Sequence, residues 1–375
     1  MEKTSFSNNN SLALKGVAII MMMFHHCFRT ESFFENFEVS FFPFSQNLIV
    51  DISSVFKICV SIFVFITGYG LTLSLKKSFK DYEWNNLQLS KWITQRLIKM
   101  LSGFWFVALL AYIICEILNG KTSRVFFDDG ISLGIVKIFL NFIGLSEFFG
   151  TPNFDSSWWY MSVAILYVVT LPCFLKLFKK YSYVFVLILV VAFPRIIGWD
   201  YVNSSYISFL FALLLGAVFA ENDLMVKIVN LKIFKNKYSN KIAKFLVETF
   251  LLIIVVKLSL ILPKSKFWEI RYAIIPSFVM LYLYEFFIDL PVLKNVLCFL
   301  GKHSMNIFLV HQFVRTDYLN EFVYSFKHFV LIGIVLLSIS LLISIAIELL
   351  KKIIKFDFYI DKVQKKLCCL IDEFN

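Results

Sequence analysis

Long apolar runs separated by short polar segments extend through the whole chain. About ten of these runs are long enough to cross a hydrocarbon core of about 30 Å. They lie near residues 12–29, 48–75, 98–118, 157–175, 182–199, 204–220, 245–263, 271–290, 304–323 and 328–350. None shows the alternation of a membrane β-barrel, and backbone groups in lipid must pair within their own segment. The pattern predicts an all-α polytopic membrane protein with about ten transmembrane helices in one bundle, a single domain over 1–375.

Composition and charge agree with a membrane protein and orient it. Hydrophobic residues make up 59% of the 375 and charged residues only 17%, which is too apolar for a soluble domain. If the N-terminus is inside, most of the 37 Lys and Arg residues fall on the cytoplasmic side. This predicts a multi-pass protein of the plasma membrane with cytoplasmic N- and C-termini and a cytoplasmic basic tail at 351–375. The net charge of +11 then reflects topology and attraction to anionic membrane lipid, and no nucleic acid partner is predicted.

The first apolar run carries polar side chains where lipid-facing helices have none. Lys15 and His26 are eleven residues apart, which is about three helical turns or about 16 Å, so they point in nearly the same direction. Polar groups at such depth usually face a bundle interior or a water-filled cavity and are candidates for function. The alternative is a neutral histidine bonded to a neighbouring helix, with Lys15 only marking the inner interface. His25 is rotated by about 100° from His26.

Four stretches of the chain resemble one known family. LKGVAIIMMMFHHCF (14–28) resembles the first-helix signature of the membrane-bound acyltransferase family 3, the integral membrane O-acyltransferases of surface polysaccharides. IFVFITGYGL (62–71) is similar to its second-helix motif, and SSWWYMSVAILYVVTLP (156–172) to its Trp-rich fourth helix. LGKHSMNIFLVHQFV (300–314) is similar to its closing motif, with His311 as the histidine. The motifs occur in the family's order, and together they cover nearly the whole chain.

The resemblance implies an acyl-CoA donor on the cytoplasmic side and a carbohydrate acceptor, either a polysaccharide or a lipid-linked oligosaccharide. It also implies catalysis centred on the histidine of the first helix. Acetyl is the family's common acyl group, so we predict an O-acetyltransferase of a capsule, exopolysaccharide or other cell-envelope glycan. Acetyl-CoA would be a co-substrate, and no bound cofactor or metal is predicted. Five of the seven cysteines are scattered singly, with no metal-ligand or redox spacing.

The histidines are the candidate catalytic residues. Acyl transfer to a sugar needs a base near the attacking hydroxyl, and a neutral imidazole can accept its proton. We therefore expect His26 to be the general base, with His25 orienting it and His311 lining the same cavity. A covalent acyl-histidine intermediate is an open alternative for His26, and a packing role is an open alternative for His25.

Three basic residues are the candidate donor-binding residues, because the phosphates of coenzyme A need cations. They are Lys15, Arg96 and Lys99. The family usually has arginine where Lys15 and Lys99 stand, and lysine cannot make the bidentate phosphate contact of arginine. We therefore expect the protein to bind the acyl-CoA donor less tightly. The alternative is that Arg96 and Lys99 only follow the positive-inside rule.

Aromatic residues at the start of the fourth predicted span are the candidate acceptor-binding residues. Aromatic faces together with one carboxylate can bind a sugar ring, and this predicts roles for Asp155, Trp158, Trp159 and Tyr160 on the outer side. An interfacial aromatic belt would have the same composition.

Two other classes of function are compatible with many apolar spans. A proton-coupled transporter or flippase of lipid-linked sugars would use the histidines as a proton relay, but it predicts internal repeats and paired broken helices that the sequence does not show. A glycan polymerase would favour large outer loops rich in arginine. The sequence identifies neither the acceptor sugar nor the oligomeric state.

Overall fold

The computed structural model describes residues 3–198, 205–262 and 266–373, and within these ranges it contains helices and no β-strand. Its only extended pairing there is an isolated bridge between Ser40 and His328. The helices are α1 Asn8–Phe28, α2 Gln46–Val55, α3 Ile58–Ser78, α4 Asn86–Asn119, α5 Lys121–Phe126, α6 Ile131–Phe142, α7 Ser146–Phe149, α8 Trp159–Tyr181, α9 Tyr183–Ile196, α10 Ser205–Asn222, α11 Leu224–Val229, α12 Lys237–Ile261, α13 Ile275–Phe286, α14 Pro291–Gln312, α15 Asn320–Tyr324, α16 Phe329–Ile353 and α17 Phe356–Glu373.

The all-α prediction is confirmed for this part of the chain. Among the described residues, six helical segments are long and apolar enough to cross a membrane: Asn8–Phe28, Gln46–Ser78, Asn86–Asn119, Trp159–Tyr181, Ser205–Asn222 and Phe329–Ile353. The other predicted spans coincide with shorter or more polar helices, such as α9 with 14 residues. The number of ten spans and the cytoplasmic position of both termini stay predictions.

The chain forms two compact units. The first, unit 1, contains residues 1–82, 171–304 and 324–333, and the second, unit 2, contains 83–170, 305–323 and 334–375. Both units are therefore built from segments that are distant in the sequence. The single domain over 1–375 stays a prediction.

Unit 1 is held together by helices whose backbones approach at glycines. A Cβ atom on Gly68 of α3 would lie 2.1 Å from the main-chain oxygen of Leu213 in α10, and one on Gly216 of α10 would lie 2.1 Å from that of Phe65. A Cβ atom on Gly301 of α14 would likewise lie 1.9 Å from the main-chain oxygen of Leu12 in α1. Small residues allow such close helix packing, which replaces the hydrophobic effect inside a membrane. Glycine is therefore required at these contacts, and they fix α1 and α3 within unit 1.

The second predicted span is broken. The sequence predicts one helix over 48–75, but α2 ends at Val55 and α3 begins at Ile58. Phe56 and Lys57 lie between them as a turn. Because a helix leaves its last four carbonyl groups without intrahelical donors, this break provides acceptors inside an apolar segment.

Unit 2 has an aromatic core. Phe104, Trp158 and Phe154 are almost completely buried there, and the rings of Phe104 and Trp158 meet edge-on at 5.0 Å. The long helix α4 begins with a capping box between Asn85 and Gln88 and ends at Gly120, which has a positive φ of 67°. These caps explain why α4 exceeds the predicted span at 98–118 by about three turns at its N-terminal end.

Helix α6 falls inside the segment 119–156, for which the sequence predicts an interfacial or re-entrant helix. Its buried residues are Gly134 and Asn141, whereas five of its large apolar side chains are more than half exposed: Ile131, Leu133, Ile135, Val136 and Phe139. An apolar surface of this kind on a short helix fits a position in the membrane interface.

Candidate active site

Helix α1 carries three of the predicted site residues on one continuous helix. The side chain of Ser7 caps its N-terminus by accepting a hydrogen bond from the backbone N–H of Asn10 at 3.3 Å. Lys15 and His26 are half-buried, and no break separates them. The eleven-residue spacing therefore places the two side chains on one face of α1, as predicted.

His25 is buried and anchored to the main chain. Its Nδ1 atom lies 2.8 Å from the carbonyl oxygen of Ser53 in the last turn of α2. A carbonyl oxygen can only accept, so Nδ1 carries the hydrogen and Nε2 of the neutral ring is an acceptor. The break after α2 thus fixes both the orientation and the tautomer of His25.

The two neighbouring histidines are in contact. Their ring centroids are 5.3 Å apart and the ring planes meet at 75°. Because His25 is held by Ser53, this edge-to-face contact restricts the ring of His26 as well. The arrangement is a half-exposed imidazole supported by a buried one.

His311 lies in unit 2, near the end of α14. It is fully buried, and its Nδ1 atom lies 2.8 Å from the carbonyl oxygen of Phe308. By the argument used for His25, this bond makes Nε2 an acceptor in the neutral ring. The helix continues from Phe313 to Tyr318 as a π-helix, a widened turn that is often found at functional sites.

Asp155 and Ser157 form a local turn before α8. The carboxylate oxygen Oδ1 of Asp155 accepts hydrogen bonds from the backbone N–H of Ser157 at 2.7 Å and from its hydroxyl at 2.5 Å. Burial raises the pKa of the Asp155 carboxyl to about 6, although these hydrogen bonds and the nearby charge of Lys121 oppose the rise. Asp155 is therefore a carboxyl group that can change its charge near neutral pH.

The aromatic residues that follow Asp155 have two different environments. Trp158 is 1% exposed, and its indole N–H donates to the carbonyl oxygen of Leu309 in α14 at 3.1 Å. Trp159 and Tyr160 are half-buried, and the ring of Tyr160 meets that of Phe308 edge-on at 5.7 Å. The hydrogen bond of Trp158 thus connects the start of α8 to the segment that contains His311. Trp159 and Tyr160 remain partly accessible.

Arg96 and Lys99 lie one turn apart in α4. Arg96 is half-buried, and its guanidinium is 5.6 Å from the centre of the Trp92 ring. Lys99 is exposed. A cation on an aromatic face is partly ordered, so Arg96 is the more fixed of the two positive charges.

A charged cluster that no sequence pattern indicated lies beside Asp155. Lys121 forms an ion pair with Asp317, and its ammonium lies 5.1 and 4.8 Å from the ring centres of Phe154 and Phe313. Both charged residues line a shallow cleft of about 450 Å³ together with Asn119, Arg124, Val125 and Thr316. Lys121 and Asp317 are 196 residues apart, so no local pattern could have predicted their contact.

The predicted site residues therefore fall into two sets. Unit 1 brings together Lys15, His25 and His26. Unit 2 brings together His311, Asp155, Trp158, Trp159 and Tyr160 around the end of α14 and the start of α8, and it also contains Arg96 and Lys99 on α4. The roles of all these residues stay predictions. Ser53 in unit 1 and Ser157 and Lys121 in unit 2 contact these residues or lie near them, and they were not among the predicted site residues. Only Ser157 has a local sequence signal, because an acidic residue, Asp155, precedes its hydroxyl by two positions.

Apolar helices with anchored histidines define a membrane-embedded protein that has acid–base groups at the depth of its spans. The comparison with protein families identifies it further: a family model described as an acyltransferase domain matches residues 10–349. The chain belongs to the membrane-bound acyltransferase family 3, and the protein is an acyltransferase. No curated protein and no solved structure matches it.

Proposed function

We propose that this protein is an integral O-acetyltransferase of the plasma membrane. It would move an acetyl group from cytoplasmic acetyl-CoA to a hydroxyl group of a cell-surface polysaccharide or of its lipid-linked precursor. The observation that carries the proposal is the supported histidine pair of α1 in a chain that matches the acyltransferase family over 10–349. Such a pair can accept a proton at the depth where the reaction would occur.

His26 is the general base in this proposal. Its ring takes the proton of the acceptor hydroxyl while the hydroxyl oxygen attacks the thioester carbonyl carbon. The carbon–sulfur bond then breaks, the acetyl group stays on the sugar oxygen, and the proton passes from His26 to the leaving thiolate of coenzyme A. His25 is a positioning residue, because it contacts His26 and is held by Ser53. General base catalysis of this kind contributes about 100-fold to 10,000-fold in rate.

The donor would be held from the inner side by Lys15, Arg96 and Lys99. Lys15 shares a face of α1 with His26, so a cation there could guide the donor toward the base. The Trp92 ring restricts the guanidinium of Arg96, which favours a directed phosphate contact. Lys99 is exposed and would add charge attraction without a fixed geometry.

The acceptor would contact Trp159 and Tyr160, the two half-buried aromatic residues at the start of α8. Asp155 and Trp158 are buried behind them and are proposed to fix their position. His311 is joined to the same segment, since Phe308 accepts from His311 and the next residue, Leu309, accepts from Trp158. We propose that it orients the acceptor.

The proposal is tested with the full-length protein in proteoliposomes supplied with acetyl-CoA and a candidate glycan. Free coenzyme A should appear only when the glycan is present, and mass spectrometry should find an added acetyl ester on the glycan. The His26→Ala variant, inserted at the same level, is the matched control and should give neither product. Movement of a lipid-linked sugar across the bilayer without loss of the thioester would contradict the proposal.

A further inference from the structure

A basic cleft of about 730 Å³ lies in unit 1, between the N-terminal end of α12 and the C-terminal end of α13. Its charged lining consists of five lysines and two carboxylates, a net charge of +3: Lys3, Lys232, Lys235, Lys237, Lys241, Glu285 and Asp289. Residues 232–241 lie between the predicted spans at 204–220 and 245–263, and Lys3 precedes the first span. The positive-inside rule therefore places the cleft on the predicted cytoplasmic side.

The two carboxylates of the cleft are engaged by particular lysines. Asp289 forms ion pairs with Lys3 and Lys294. An oxygen of Glu285 lies 2.7 Å from the ammonium of Lys244, which is buried in unit 1. These carboxylates therefore do not neutralise the other lysines of the cleft, and the charges of those lysines are available to an anionic ligand.

The start of α12 brings positive charges together. Lys235, Lys237 and Lys241 are exposed, and the last two are four residues apart, so they lie on one side of the helix. The side chain of Asn236 caps α12 by accepting a hydrogen bond from the backbone N–H of Tyr238 at 2.9 Å. The positive end of the helix dipole adds to the attraction that the lysines exert on an anion.

Hydrogen bonds fix the loop that forms one wall of the cleft. The side-chain oxygen of Asn240 accepts from the backbone N–H groups of Ile233 and Phe234 at 2.7 and 3.1 Å. The side chain of Asn230 accepts from the backbone N–H of Lys3 at 3.0 Å and donates to its carbonyl oxygen at 2.7 Å. The loop is thus bonded both to α12 and to the N-terminal segment. A wall that is ordered in advance lowers the entropic cost of binding a ligand.

An apolar surface begins directly beside the cleft. Phe286 lines the cleft, and its ring meets that of Phe245 in α12 edge-on at 5.3 Å. Phe245 lies one turn beyond Lys241 on the same side of α12 and is 40% exposed. Leu246 and Phe250 follow with exposures of 62% and 64%. Cations and an apolar helix surface therefore adjoin each other, as the phosphates and acyl chains of a lipid require.

We propose that the cleft binds a phospholipid whose headgroup carries two phosphates, and that the acyl chains of this lipid lie along α12. A net charge of +3 suits two phosphate charges better than the one of a simple phosphodiester. Basic pockets between membrane helices on the cytoplasmic side hold headgroups of this class. The proposal does not depend on the catalytic one, because none of the lysines in the cleft is a candidate donor-binding residue.

The test titrates the full-length protein in detergent with cardiolipin, a phospholipid with two phosphates, and counts bound lipid by native mass spectrometry. The test variant combines Lys235→Gln, Lys237→Gln and Lys241→Gln, which are exposed positions whose substitution leaves the packing intact. Its Kd for the first cardiolipin should rise by about 100-fold, or about fivefold for each lysine removed. Phosphatidylcholine, whose single phosphate is balanced by its own cation, should bind weakly to both proteins.

A matched control removes the same charge elsewhere on the predicted cytoplasmic side. It combines Lys77→Gln, Lys180→Gln and Lys355→Gln, all at exposed positions, and should keep the wild-type Kd for cardiolipin. Thermal unfolding of the three proteins in the same detergent verifies that each is folded.

Three results would overturn the proposal. An unchanged Kd in the test variant would mean that the cleft does not hold the headgroup. An equal loss in the control variant would mean that cardiolipin responds only to total charge. Displacement of the bound cardiolipin by coenzyme A would assign the cleft to the acyl donor instead of a lipid. None of these results bears on acetyl transfer, because the readout is lipid binding.

Discussion

His25 Nδ1 lies 2.8 Å from the carbonyl oxygen of Ser53, and this contact joins the histidine of one helix to the end of another. The carbonyl belongs to the last turn of α2, where intrahelical donors are missing. His25 therefore supplies a donor that the break after Val55 requires, and the same bond holds the ring that contacts His26.

Substitutions of His25 should distinguish the effect of its hydrogen bond to Ser53 from the effect of its imidazole ring on His26. In His25→Asn the side-chain N–H occupies nearly the place of Nδ1 and can still donate to Ser53, whereas His25→Phe leaves that buried carbonyl unpaired at a cost of about 1–3 kcal/mol. We expect kcat to fall in both variants and to be about tenfold lower in His25→Phe than in His25→Asn, with KM for acetyl-CoA unchanged. Steady-state kinetics and thermal unfolding in detergent measure the two effects. Equal kcat values in the two variants would remove the positioning role.

Substitution of His26 should affect the reaction much more than stability. The side chain is only half-buried, so its removal leaves no large cavity. Loss of a general base should lower kcat by about 100-fold to 10,000-fold in both His26→Ala and His26→Gln. Glycan-dependent release of coenzyme A gives kcat, and the amount of protein recovered from membranes reports insertion. Glutamine can donate and accept hydrogen bonds but cannot take up a proton, so wild-type activity in His26→Gln would exclude base catalysis.

Periodicity and residue type predicted the helices, and the family motifs indicated which helices carry the candidate site residues. Both kinds of signal are local, and Lys15 and His26 could be placed on one face because a single helix joins them. The break at Phe56 and Lys57 was not predicted, because both residues lie inside a continuous apolar run whose composition favours an unbroken helix. The bond from His25 to Ser53 depends on that break, so it could not be predicted either.

Arg96 and Lys99 provide a test of the donor site. Arg96→Ala should raise KM for acetyl-CoA by about 10-fold to 100-fold, since a charge-assisted hydrogen bond is worth about 1.5–3 kcal/mol. Lys99→Ala should have a smaller effect that fades at high salt, because Lys99 is exposed and its attraction is screened. Lys77→Ala, another exposed basic residue, is the control and should leave KM unchanged. If KM for acetyl-CoA is unchanged in Arg96→Ala, Arg96 does not bind the donor and only contributes to the orientation of the protein in the membrane.

The glycine contact between α3 and α10 predicts a difference between two neighbouring glycines. A methyl group on Gly68 would meet the backbone of Leu213 at 2.1 Å, whereas one on Gly70 has nothing within 4 Å. Gly68→Ala should therefore lower the free energy of unfolding by about 1–3 kcal/mol, while Gly70→Ala should leave it unchanged or raise it. Thermal unfolding of both variants in the same detergent measures the difference. Similar unfolding temperatures would mean that α3 and α10 are less closely packed than described.

In unit 2, a local contact could be predicted from the sequence, but a contact between distant segments could not. The turn of Asp155 and Ser157 is local and could be predicted, whereas the contact between Lys121 and Asp317 joins segments 196 residues apart. Tertiary packing, which also buries Asp155, decides the charge of that carboxyl.

Asp155 predicts how stability depends on pH. Burial raises its pKa from 3.8 to about 6, so between these values the folded state binds a proton that the unfolded state has lost. The resulting stabilisation is complete below pH 3.8 and disappears as the pH rises through 6, a change on the order of 2–3 kcal/mol. Asp155→Asn keeps an oxygen for the two Ser157 hydrogen bonds but cannot ionise, so its unfolding temperature should lack this dependence. Unfolding temperatures of both proteins from pH 4 to pH 7.5 should therefore diverge as the pH rises, the wild type losing stability relative to the variant. Parallel curves would mean that Asp155 titrates alike in the folded and unfolded protein, and a wild type that gained relative stability with rising pH would place its pKa below 3.8.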